Sequence, residues 1–131
     1  MIDRRIVLGA MFGAGVALAP AVLAQGKDQT FPDIVSAKVK AQSALTFDFD
    51  VTVSSPYDTA QRYADAFRVA GPDGKVYGER ILLHDHADEQ PFTRDLHGVS
   101  IPPGIKSVKI EGRDQKHGYG GKAIDVALPG R

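Results

Sequence analysis

The chain of 131 residues contains no cysteine and no tryptophan. Without cysteine there is no disulfide framework, no Cys-ligated zinc, no iron–sulfur centre and no thiol catalysis. In an oxidising compartment such a domain must rely on packing alone. An excess of one charge is also missing, since 16 Lys and Arg stand against 16 Asp and Glu. A balanced chain lacks the electrostatic hold on nucleic acid or acidic lipid that a basic domain has. No segment carries a convincing helical period, and no internal repeat is visible. Long apolar runs are absent but for one.

That run opens the sequence. Met1-Ile2-Asp3-Arg4-Arg5 is a short basic start, and Ile6 to Leu23 is apolar and rich in Ala, Gly, Val and Leu. Val22-Leu23-Ala24 then sets small or branched residues ahead of Gln25. This is the three-part pattern of a cleavable secretory signal peptide over residues 1–24. It predicts a periplasmic or secreted protein that begins near Gln25. The competing reading is a transmembrane anchor, for which the run is near the lower limit of about 17–25 residues. Gly9, Gly13, Gly15 and Pro20 interrupt it and a cleavage site follows at once, so no stable membrane anchor is expected after processing. Arg4-Arg5 before the apolar stretch also resembles a twin-arginine export signal, and the ordinary secretory route stays equally open. No Cys follows the cleavage site, so a lipid-anchored form is not expected.

The remainder is the size of one domain. Residues 25–33 are polar and aperiodic and read as a flexible lead-in; 34–131 form the folded part. Period-two alternation dominates it. Leu45, Phe47, Phe49, Val51 and Val53 alternate with Thr46, Asp48, Asp50 and Thr52, which makes a half-buried strand with one wet face. Gly71-Pro72-Asp73-Gly74 is a hairpin turn, in which Pro presets φ, Asp caps and Gly takes a positive φ. Ile101-Pro102-Pro103-Gly104 and Gly118-Tyr119-Gly120-Gly121 read as two further tight connections. Strands are then expected at 34–41, 44–54, 62–70, 75–83, 92–100, 105–113 and 122–129. Seven short strands at this spacing predict an all-β, immunoglobulin-like antiparallel β-sandwich, with a small open β-barrel as the alternative.

Alternate strand directions put the loops after the second, fourth and sixth strands at one end. The unusual residues fall there: Tyr57 and Asp58 in the first loop, His84 to Pro91 in the second, Asp114 to Gly121 in the third. His84 and His86 are two residues apart, so in an extended chain both imidazoles face one side. His117 from the neighbouring loop is a candidate third ligand, and Asp88, Glu89 or Asp114 a fourth. Imidazole with carboxylate suits copper or zinc. The plainer alternative is a solvated loop whose histidines hydrogen-bond the backbone. His97, inside a predicted strand, reads as a packing or edge residue.

Catalytic patterns are weak. Ser54 and Ser55 lack a nucleophile elbow, and adjacent Asp88 and Glu89 diverge in an extended chain. His117 near Asp114 allows a base and its orienting carboxylate, with no nucleophile beside them. Gly118 to Gly121 lacks the Lys-Ser/Thr and the helix of a phosphate loop, so a turn needing positive φ is the better reading. Tyr119 would then be an exposed aromatic at the rim. The expectation is a non-catalytic domain whose rim, through Tyr57, Asp58 and Tyr119, binds a periplasmic protein or a small ligand. Nucleic acid is not an expected partner. A copper or zinc site is the rival.

Four strings carry a resemblance: Tyr63-Ala64-Asp65, Leu82-Leu83-His84-Asp85-His86, Glu89-Gln90-Pro91-Phe92-Thr93-Arg94 and His117-Gly118-Tyr119-Gly120-Gly121. Together they resemble a family of small, functionally uncharacterised exported bacterial proteins, over roughly Thr46 to Leu128. Glu-Gln-Pro-Phe-Thr-Arg is the most specific of them. Relatives in that family often carry extra His and Trp after the second strand, where this chain has Ser54 to Arg62 without His. That departure weakens the metal reading here. The resemblance implies export and a single domain and brings no activity. Physically, Pro91 suits the start of a strand, Phe92 its core face, and Glu89 and Arg94 an ion pair across the turn.

Overall fold

The structure is a computed structural model and describes residues 28–131. The signal peptide expected over 1–24 lies outside the described residues, as does the start of the lead-in. Seven strands follow in order: β1 (Asp33–Ala41), β2 (Thr46–Ser54), β3 (Ala64–Ala70), β4 (Val76–Ile81), β5 (Phe92–Ser100), β6 (Ser107–Asp114) and β7 (Gly118–Ala127). They form two antiparallel sheets, ordered β1-β2-β5 and β4-β3-β6-β7. This is the immunoglobulin-like sandwich, with its fourth strand added to the second sheet. Among the described residues no strand pairing joins the two sheets into a barrel.

Alternation builds the core. Phe47, Phe49, Val51 and Val53 of β2 are buried, and they meet Ile34, Phe67, Val69, Phe92, Val99, Val108 and Ile110 from the other strands. Leu45 is the exception to the expected stripe; it precedes β2, in the turn, and is about half exposed. The Gly71–Gly74 hairpin forms as expected, with the Gly74 amide donating to the Gly71 carbonyl at 2.9 Å.

Two expectations need correction. The fourth strand ends at Ile81 instead of continuing to Leu83, which lengthens the loop already expected to carry His84 and His86. The last strand starts four residues early, at Gly118, because Tyr119 and Gly120 pair with Arg113 and Gly112. Gly121, at φ 79°, is absorbed as an irregularity inside β7. The cause is the segment 29–32, which packs across this strand. Phe31 sits 2.7 Å from where a Cβ on Gly120 would stand, and the Pro32 carbonyl 2.2 Å from one on Gly121. The Gln29 side chain donates to the Phe31 and Ser54 carbonyls, and the Arg62 guanidinium donates to those of Gln29 and Thr30.

The β4–β5 seam is held by charge. Arg80 donates to the Asp95 carboxylate at 2.6 Å. His97 is an exposed edge residue whose two ring nitrogens lie 3.2 Å from Asp48 and 2.9 Å from Asp95. A neutral imidazole has one N–H, so only the charged ring donates to both carboxylates. These two hydrogen bonds raise the pKa of His97 above its ordinary value.

Candidate binding rim

Three loops meet at one end of the sandwich: 55–63 after β2, 82–91 after β4 and 115–117 after β6. Buried polar contacts join them. The Ser55 amide donates to Gln90 Oε1 at 2.7 Å, and Gln90 Nε2 donates to the His86 carbonyl at 3.0 Å. Asp58, also buried, accepts from the amides of Ala64 at 3.0 Å and His86 at 2.9 Å. Burial pushes the Asp58 carboxyl up, against the pull of those two amides. Asp114 is fully buried and accepts from the amides of Lys116 and His117 and from Arg62 Nε. Burial acts to raise its pKa, but the Tyr57 hydroxyl, the two amides and Arg62 outweigh it and hold the carboxyl low.

Tyr57 and Asp58 are therefore not the exposed contacts expected. Tyr57 is 6% exposed, with the Arg62 guanidinium 4.2 Å above its ring. Burial and the neighbouring Asp114 push its phenol up. Tyr119 is half-buried on the sheet face, clasped by Arg68 at 3.7 Å, and its hydroxyl donates to Glu79. Burial, then Glu79, raises its pKa. The reason in each case is a local arginine, which covers an aromatic ring that the sequence pattern leaves bare.

The histidines divide. His84 and His86 lie together, ring centroids 4.9 Å apart. His86 is 7% exposed and stacks flat on Phe92 at 4.0 Å. Burial lowers its pKa, helped by Arg94 and His84. His117 is exposed and stands edge-on to Phe31 instead, 6.2 Å between centroids. Among the described residues no three His, Asp or Glu side chains are placed to hold a metal ion. Glu89 is engaged by Arg94 at 2.9 Å, as the sequence predicts, and this bond holds its carboxyl below the usual range. The Asp114 carboxylate bonds the His117 backbone and so does not orient its ring as a base.

The buried Tyr57 hydroxyl faces the Asp114 carboxylate, whereas His86 Nδ1, also buried, finds no hydrogen-bond partner. Beside His86, Leu83 is 82% exposed. A cavity of about 320 Å³ is lined by His84 to Glu89 and Arg94. A larger groove, about 420 Å³, lies at the opposite end between Leu45, Val76, Tyr77 and Pro102. It is mainly apolar, and the unpaired His86 nitrogen does not line it.

Sequence reasoning passes over Ser55, Arg62 and Gln90, which organise the rim. Gln90 falls inside the Glu-Gln-Pro-Phe-Thr-Arg string, and a buried amide next to a strand start is the signal that could have found it.

The chain is 35% identical over 94 residues to a protein of Halomicrobium mukohataei named "Putative lipoprotein". The match covers 72% of this chain but 46% of that protein, so the chain spans under half the length of its relative. No family model matches the chain. No solved structure matches it either. Among the described residues, no helix is long and apolar enough to cross a membrane.

Proposed function

We propose that this is an exported, non-catalytic binding protein of the cell envelope that engages a partner through the rim formed by loops 55–63, 82–91 and 115–117. Export is supported by the signal-peptide pattern over 1–24 and by the name of the similar protein. The location of the unpaired, buried His86 Nδ1 carries the choice of the rim. A buried polar group without a partner costs about 1–3 kcal/mol, so a fold retains one where something else supplies the partner. A lone exposed leucine is ordinary. Leu83 gains meaning from standing on the loop that holds His86, itself fixed from beneath by Asp58 and Gln90.

A photo-crosslinking side chain placed at Leu83 and, separately, at Gly74 tests this in envelope extracts. The reading predicts a discrete adduct from position 83, competed by the unlabelled protein, and none from position 74. Equal labelling at both positions, or none at 83, would refute it. Leu83→Asp should abolish the adduct-forming interaction while changing stability by only about 0.5 kcal/mol or less.

A further inference from the structure

The His84–His86 pair has the features of half a metal site. A ring nitrogen facing a carbonyl oxygen must carry the proton. His84 Nδ1 lies 2.8 Å from the Asp85 carbonyl, so the neutral ring presents its lone pair at Nε2. This backbone contact is the kind that orients metal-bound imidazoles. His86 is over nine-tenths buried, its Nδ1 has no partner, and Phe92 fixes its ring from one side. Two imidazoles sharing one ion at about 2.0–2.1 Å have ring centres roughly 5 Å apart. The observed separation is 4.9 Å. The same cavity is lined by both rings, by Asp85, Asp88 and Glu89, and by Arg94, whose charge Glu89 engages. Asp85 is held by the Ala87 amide, and among the described residues no carboxylate joins the two rings as a third ligand.

We propose that His84 and His86 bind one copper(II) ion, with water completing its coordination. The proposal rests on the reading of the rim as the ligand-binding end and names the ligand of its 82–91 loop. Two nitrogens with oxygen donors form the tetragonal set that copper(II) favours, and copper(II) binds most strongly in the divalent series. A structural zinc site asks for four closed tetrahedral ligands. The third histidine that would help to build one, His117, is against Phe31.

The untagged protein titrated with copper(II) sulfate should bind one equivalent and melt at a higher temperature, because the ion favours the folded form. Its electron paramagnetic resonance spectrum should show coupling to two nitrogens. His84 is exposed, so His84→Ala keeps the fold; it should leave one coupled nitrogen and weaken binding by about tenfold or more, at least what loss of an outer-shell partner costs. His86→Gln, checked by circular dichroism, should do the same. His117→Ala should bind as the parent does. Absence of nitrogen coupling at one equivalent, or undiminished binding by His84→Ala, overturns the site. Tighter one-to-one binding of zinc overturns the choice of ion. If copper fails while position 83 still forms its adduct, the metal is wrong and the rim stands. If copper binds and position 83 captures nothing, the metal site survives and the macromolecular partner falls.

Discussion

At the end of the sandwich away from the rim, Arg131 reaches across the loops and donates to the carbonyls of Pro102, Ile105, Ala44 and Ile101. Its guanidinium also lies 5.0 Å from the centre of the Phe47 ring. One side chain thus satisfies four backbone acceptors. The rim carries an equally dense polar network, built on Asp58, Gln90 and Asp114, yet it leaves His86 Nδ1 unpaired. Both ends close the same pair of sheets, the rim largely with long His- and carboxylate-rich loops and the far end with short turns. The difference shows that leaving polar atoms unpaired is not forced by the fold, since the far end avoids it with one arginine.

The comparison is broken most severely at Asp114. Asp114→Ala strands two amides and the Arg62 guanidinium and should destabilise the protein by about 3 kcal/mol in chemical denaturation. Arg131→Ala comes next, at about 2 kcal/mol, because four charge-assisted bonds are lost but water reaches part of the site. Tyr57→Phe sharpens the contrast: removing the hydroxyl that faces the Asp114 carboxylate should cost about 1 kcal/mol. Unchanged or higher stability would show that the hydroxyl has no partner.

The smallest effect is a pH dependence at His97, where β5 meets β2. His97 has a raised pKa in the folded state, so its contribution is fully present below the unfolded value near 6.5. It fades as pH rises through the higher folded value. Denaturation midpoints measured from pH 6 upward should fall faster for the parent than for His97→Gln. Parallel profiles would remove His97 from that role.

Much of this architecture is legible in the chain. The stripe Phe47, Phe49, Val51, Val53 specifies β2, because alternation needs no distant partner to be recognised. Gly71–Gly74 specifies its turn for the same local reason. Pro91, Phe92 and the Glu89–Arg94 pair behave as their string predicts. The rim is harder to read, since its geometry is set by contacts far apart in sequence. Ser55 meets Gln90, Asp58 meets His86 and Arg62 meets Asp114. Nothing near Tyr57 announces that Arg62 will cover it. The run of glycines before Lys122 suggests a turn, and only the crossing of Phe31 and Pro32 explains why they sit inside a strand.

The docked lead-in has a mechanical consequence. Gln29 is fixed beside Ser54 at the rim, whereas Arg131 is fixed at the far end. A pull applied between these two residues runs along the strands. The first strand must then slide past β2 and the last past β6, with many ladder hydrogen bonds loaded together instead of parting singly. The domain is thus arranged to resist tension along its length, and its resistance is governed by the rate of forced unfolding.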